Sequence, residues 1–164
     1  MNTEILDIQY TERLPEDEQR ISRYWYIDKM NQKEIARIMG VTQGAISSRL
    51  SKIRRRVNFL KSLESWNFSD VEQKLKEILP VFELELIKIF LHTTCQTETA
   101  RQLNDIFNLQ GRQRMNQVKV RHRFNRCRKF LHEKEHEYAT LLDLFHRNSL
   151  ILHNVKLPQF DKEV

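Results

Sequence analysis

The 164-residue sequence contains few residues that break helices or cross-link small domains: three glycines, three prolines and two cysteines. So few glycines and prolines argue against a protein of many short strands and tight turns, and two cysteines exclude a disulfide framework. No apolar run approaches the ~20 residues that cross a bilayer, and residues 1–4 lack the features of a secretion signal. The composition therefore predicts an all-α protein of the reducing cytoplasm, with no membrane partner.

A helix-turn-helix is predicted between residues 32 and 63. Apolar spacing predicts helices over Gln32–Met39 and Gln43–Leu63. Gly40 supplies the left-handed residue that ends the first helix, and Thr42 can accept a backbone N–H as the cap of the second. Each helix has a predicted apolar face, formed in the first by Ile35, Ile38 and Met39 and in the second by Ile46, Leu50, Ile53, Val57 and Leu60.

The opposite face of the second helix carries hydrogen-bonding and basic side chains of the kind that contact base edges and phosphates in a major groove. We expect Gln43 and Ser47 to contact bases, and Gly44 to permit close approach of the backbone. The predicted DNA-binding residues of this helix are Gln43, Ser47, Ser48, Arg49, Lys52, Arg55 and Arg56.

Residues 14–63 resemble region four of the bacterial sigma factor family. The shared pattern runs from Leu14-Pro15 through Glu34-Ile35-Ala36 and Gly40-Val41-Thr42 to a basic helix end. The resemblance implies that this segment binds double-stranded DNA at an upstream promoter element and contacts bacterial RNA polymerase. By the same resemblance, the polymerase-facing groove would involve Tyr24, Ile27, Ile35 and Ile38.

Sigma factors also use a preceding helical region that melts DNA with aromatic residues. Thirteen residues precede Leu14 in this sequence. We therefore expect that the chain is not a complete sigma factor and does not open a promoter by itself.

A second, degenerate copy of the module is predicted over residues 79–131. Leu79-Pro80 repeats Leu14-Pro15, and residues 96–103 parallel residues 32–39. Residues 120–129 parallel residues 46–55, with about ten residues, 105–114, inserted in the second turn. The predicted DNA-binding residues of this copy are Gln117, Arg121, His122, Arg123 and Arg126.

The distribution of charge supports two nucleic-acid-binding surfaces. Residues 37–61 contain seven bases and no acid, and residues 112–129 contain eight bases and no acid. The chain has 28 bases and 22 acids, so these two segments carry +15 and all other residues together −9. A solvated helix face usually mixes both signs, whereas acid-free basic segments are typical of surfaces that follow phosphates.

The predicted architecture is two tandem helix-turn-helix modules joined by a short helical linker, with a long C-terminal helix. The first helix of each module is predicted over 15–29 and 81–93, and the linker over 64–68 precedes a helix capped by Ser69. In the second module, helices follow over 97–104 and 116–145. The predicted division is a first domain over 1–66, a second over 67–147 and a C-terminal tail over 148–164.

The sequence also contains one catalytic pattern, His132-Glu133-Lys134-Glu135-His136, which matches the zinc-protease motif. Histidines four residues apart on a helix share a face and could ligate zinc. Here the charged residues between them indicate an exposed polar stretch, and no distant third ligand stands out. We therefore predict a solvated helix face, no metal, no cofactor and no enzymatic activity.

Three functions fit these patterns. The first is a sequence-specific DNA-binding transcription regulator of sigma-like descent, of the kind that a phage or mobile element encodes. The second is an RNA polymerase-binding interaction protein, such as an anti-sigma or redirecting factor. The third is a DNA-recognition subunit in packaging, recombination or replication. Co-purification with polymerase subunits separates the second function from the third.

Overall fold

The computed structural model describes residues 8–66, 70–152, 155 and 157. None of these residues lies in a β-strand, so the predicted all-α fold is confirmed. They group into two compact units, the first with residues 8–65, 155 and 157 and the second with residues 66 and 70–152. No helix in the described part of the chain has the length and hydropathy needed to span a bilayer.

The first unit is built around one long helix. Helix α1 (Glu16–Ser22) continues into a π-helical turn (Arg23–Ile27) and is followed by α2 (Gln32–Met39) and α3 (Gln43–Leu63). Helix α3 packs against both α1 and α2. Its five predicted stripe residues are all buried, which confirms the interpretation of the apolar spacing: Ile46, Leu50, Ile53, Val57 and Leu60.

One residue of the predicted apolar face of α2 is exposed rather than buried. Ile35 is buried, but the side chain of Ile38 is 47% exposed. Because nearly half of its surface is accessible, Ile38 falls at the edge of the stripe that α3 covers rather than at its centre. Ile38 therefore lies at the exposed edge of the predicted apolar face.

The second unit contains five α-helices among its described residues. These are α4 (Val71–Lys76), α5 (Val81–Thr93), α6 (Gln96–Phe107), α7 (Gln117–Glu133) and α8 (Tyr138–Asn148), with short 3-10 turns at Gly111–Gln113 and Ser149–Ile151. Helices α5, α6 and α7 all pack against one another, and α8 packs against α7. The rings of Phe90 and Phe124, with centroids 4.6 Å apart, lie in this core.

The long helix predicted over 116–145 is two helices. Helix α7 ends at Glu133, and Glu135 adopts a left-handed conformation with φ of 51°. The backbone N–H of Tyr138 then donates to Nδ1 of His136 at 3.1 Å, and α8 begins. The break turns α8 back so that Tyr138, Leu142 and Phe145 are buried in the second unit.

The turn between α6 and α7 begins later than predicted. Helix α6 continues through the first three residues of the predicted insertion and ends at Phe107, after which Asn108 has a left-handed φ of 50°. The predicted cap Ser69 and residues 67–68 of the predicted linker lie outside the described residues.

Candidate nucleic-acid interface

Local hydrogen bonds fix the turn between α2 and α3. A capping box starts α2, because the backbone N–H of Glu34 donates to Asn31 Oδ1 at 2.9 Å and the N–H of Asn31 donates to Glu34 Oε2 at 3.0 Å. Gly40, with φ of 69°, ends α2 in the left-handed conformation that favours glycine. Thr42 Oγ1 accepts the N–H of Ala45 at 3.1 Å and starts α3, as predicted.

The face of α3 opposite the buried stripe is polar and contains no acid. Two of the predicted DNA-binding residues at its N-terminal end, Gln43 and Ser47, are exposed. The exposed face also includes two residues that we did not predict, Ser51 and Arg54. Of the predicted set, Ser48, Lys52 and Arg55 are exposed, while Arg49 is half-buried. The face from residue 43 to residue 55 is ~18 Å long, enough to enter a major groove ~12 Å wide.

Arg56 does not belong to this face. Its side chain is buried, with 3% of the residue exposed, and its guanidinium Nη1 donates to Oε1 of Glu18 on α1. Arg56 follows Ile53 by three residues and precedes Leu60 by four, so it lies on the buried stripe. The prediction that Arg56 binds DNA was therefore wrong, since the ion pair with Glu18 occupies this side chain.

A groove of about 570 Å³ lies beside Gln43. It is lined by two bases and an aromatic side chain that the sequence interpretation did not select: Lys29, Lys33 and Trp25. The sequence did not indicate them because they lie ten or more residues before Gln43, and only the folding of the first unit brings them beside it. Basic side chains beside a recognition helix are suited to contact the phosphates that flank its bases.

The π-helical turn and α2 carry an exposed apolar edge. The side chain of Ile27 is 55% exposed, and Ile38 on α2 is exposed as well. Tyr24, Trp25 and Tyr26 of the same turn are half-buried. Of the four residues that the sigma-like resemblance implied for the polymerase-facing groove, Ile27 and Ile38 are exposed, Tyr24 is half-buried and Ile35 is buried.

In the second unit, four of the five predicted residues are exposed on α7: Gln117, Arg121, His122 and Arg126. The fifth, Arg123, is held by α5. Its guanidinium donates to Glu83 Oε1 at 2.8 Å and lies 4.7 Å from the ring centroid of Phe82. Arg123 is thus already paired within the protein.

Two neighbouring side chains of α7, those of Cys127 and Arg128, lie in different surroundings. Burial raises the pKa of the Cys127 thiol to about 11, so this side chain is an uncharged core residue at neutral pH. In the predicted repeat Cys127 parallels Ile53 of α3, which is buried as well. The next residue, Arg128, is half-buried, and its Nη1 lies 3.4 Å from Oδ1 of Asp143 on α8.

The residues of the zinc-protease pattern do not share a helix. His132 lies on α7, where its Nε2 is 2.7 Å from Asp143 Oδ2, and His136 lies beyond the left-handed residue Glu135. The prediction of a helix through this stretch was wrong. Among the described residues, no three histidine, cysteine or acidic side chains are grouped as a metal site.

Comparison with known families gave one match. A family model described as Sigma-70, region 4 matches residues 12–58, which span α1, α2 and most of α3. No curated protein and no solved structure matches the chain. The matched family is a DNA-binding helix-turn-helix linked to sigma and RNA polymerase-related transcription. Residues 12–58 of this chain therefore form a sigma-70 region 4-like helix-turn-helix segment.

Proposed function

We propose that this protein is a sequence-specific DNA-binding transcription regulator that acts with RNA polymerase. The acid-free polar face of α3 is the observation that supports this proposal most directly. Its N-terminal end presents Gln43 and Ser47, whose side chains can pair with base edges, and Lys52 and Arg55 lie farther along the same helix. We propose that the protein binds double-stranded DNA and acts in the cytoplasm. We propose no enzymatic activity for it.

Gln43→Ala tests the base-reading role. Loss of one base contact is expected to reduce the preference for the best site by ~1–3 kcal/mol, while binding to unrelated DNA stays the same. Binding-site selection with the full chain measures the preference at each position. Asn58→Ala is a matched control, because Asn58 is an exposed amide near the other end of α3. If Gln43→Ala and wild type select the same sequence, Gln43 does not read bases.

Gly44→Ala is expected to stabilise the first unit and to weaken DNA binding. A Cβ added at Gly44 would meet only Thr42 Oγ1, at 4.0 Å, so the fold has room for it. Alanine in a helix is favoured over glycine by roughly 0.5–1 kcal/mol. Gly44 is exposed between the predicted base-contacting residues, so a methyl group there would hold the helix away from the DNA. The urea midpoint of the first unit should rise, while the affinity for DNA in a binding titration should fall. A variant that binds DNA as tightly as wild type would contradict close approach at Gly44.

We propose that the exposed apolar edge at Ile27 and Ile38 binds RNA polymerase. Ile27 and Ile38 are the exposed large apolar side chains among the described residues of the first unit, and such side chains are suited to an apolar contact with a partner. The same edge supports the second candidate function, a factor whose main activity is to bind and redirect the polymerase. In that case DNA binding through α3 would be secondary.

Ile38→Asp is expected to abolish co-elution with core polymerase on a sizing column, because a charge would be buried without a partner in the complex. DNA binding through α3 should persist. Val81→Asp serves as the control, since Val81 is an exposed apolar residue of the second unit. Retention of the complex by Ile38→Asp would place the polymerase contact elsewhere, and absence of any complex with wild type would favour a DNA-recognition subunit of another process.

A further inference from the structure

We infer that the second unit carries its own duplex DNA-binding surface, formed by α7 and the turn before it. The inference rests on the proposed function in one respect, since it takes α3 as the example of a DNA-binding helix. The contacts and charges of the second unit support it independently.

Helix α7 repeats α3 in the same register. Asn116 caps α7 by accepting the N–H of Lys119 at 2.9 Å, as Thr42 caps α3. Counted from these caps, the first eight residues of α7 are buried, half-buried or exposed in the same order as the first eight of α3. Any two amphipathic helices match in some register, but here the caps fix the register. The residue at the start of each helix is also the same, Gln43 in α3 and Gln117 in α7.

The longer turn before α7 is held in place by side chains. Asn104 on α6 pairs with both backbone groups of Met115, accepting its N–H at 2.6 Å and donating to its carbonyl at 3.0 Å. Lys119 Nζ donates to the carbonyls of Arg112 and Arg114 at 2.8 and 2.9 Å. These bonds fix the backbone of the turn beside α7, and the arginine side chains at 112 and 114 remain exposed.

The turn and α7 together line a groove of about 590 Å³ whose charged side chains are all basic. Arg112, Lys119, His122 and Arg126 lie along it, together with Arg123, which Glu83 pairs. No described acidic side chain pairs with Arg112 or Arg126. The outer face of α6 differs, because Arg101 there is paired with both Glu98 and Asp105. Unpaired basic side chains around one groove are suited to bind phosphates.

The shape and composition of this surface favour duplex DNA over RNA. A helix fits the major groove of B-DNA, whereas the major groove of an RNA duplex is too narrow to admit one. Single-stranded nucleic acid is bound mainly by stacking on aromatic rings. The aromatic residue that lines the groove near the turn, Phe82, is covered by Arg123. Gln117 and Arg121 at the exposed start of α7 can pair with base edges in a major groove.

The test uses the full chain with Arg112→Ala and Arg126→Ala together. Because log K falls with log salt by ~0.9 per phosphate contact, loss of two contacts should reduce the salt slope by about two and the affinity at 0.1 M salt by about 60-fold. Hydroxyl-radical footprinting should show two protected patches with wild type and only one with this variant. Lys52→Ala with Arg55→Ala should weaken protection of the other patch and leave this one in place, so the two surfaces are tested separately.

Arg101→Ala with Lys74→Ala is the matched control, because it removes two positive charges from the second unit that are already paired with carboxylates. If the Arg112 and Arg126 variant has the footprint and salt slope of this control, the inference is overturned, while the function proposed for α3 stands. Duplex RNA of the same sequence should compete poorly for the protein. If the RNA instead competes as well as the DNA for wild type, and this competition is lost in the Arg112 and Arg126 variant, the surface binds RNA.

Discussion

Replacing Glu18 with alanine is expected to lower the free energy of unfolding of the first unit by about 3–5 kcal/mol, because it leaves Arg56 buried without its carboxylate. Both side chains are nearly inaccessible to solvent. Urea unfolding of the full chain measures the change. Trp25 and Trp66, the two tryptophans of the chain, belong to different units, so a Trp66→Phe background makes Trp25 fluorescence report the first unit.

Glu16→Ala is the control for this prediction, because Glu16 is an exposed carboxylate in the same first turn of α1. Replacing both partners, Glu18→Leu with Arg56→Met, should recover most of the stability, since apolar side chains of similar size can fill the site. A loss in Glu18→Ala no larger than in Glu16→Ala would show that the ion pair does not hold α1 against α3.

Features set by neighbouring residues could be predicted from the sequence. Gly40 and Thr42 end one helix and start the next through bonds within four residues, and both were predicted correctly. The buried stripe of α3 followed from spacing alone, because its residues recur at the helical period. These signals were sufficient to predict the helix-turn-helix and the exposed face of α3.

Features set by packing between distant residues could not be predicted. Arg56 lies among five other bases of α3, so its sequence context indicated a phosphate contact, and only the packing of α1 showed its pairing with Glu18. The break after Glu133 has no glycine or proline to mark it. The break is instead accompanied by interactions between distant residues of the second unit: Lys74 Nζ lies 2.5 Å from Glu137 Oε1, and Tyr138 is buried.

The Glu18 ion pair links the stability of the first unit to its proposed function, because it joins α1 to the helix that carries the proposed DNA-binding face. Arg56 is the one base of α3 that this pair removes from the solvent. Lys52 and Arg55, both exposed, remain as the predicted phosphate contacts. Two neighbouring arginines should therefore have different effects: Arg56 should contribute to the stability of the first unit, and Arg55 to DNA binding.

Lys52→Ala together with Arg55→Ala is expected to weaken DNA binding about 60-fold at 0.1 M salt and to reduce the salt slope by about two, for loss of two phosphate contacts. The selected sequence should not change, because phosphate contacts carry no sequence information directly. Binding titrations across a salt series with the full chain measure both quantities. The urea midpoint of the first unit should stay near that of wild type, since both side chains are exposed.

Arg20→Ala with Lys76→Ala is the control for this pair of substitutions. It removes the same net charge from exposed positions outside α3, one on α1 and one on α4. If the control reduces the salt slope as much as the α3 variant does, binding depends on net charge and not on the face of α3. A reduced slope in the α3 variant alone, with Gln43→Ala altering only the selected sequence, would assign phosphate binding and base reading to different residues of one helix.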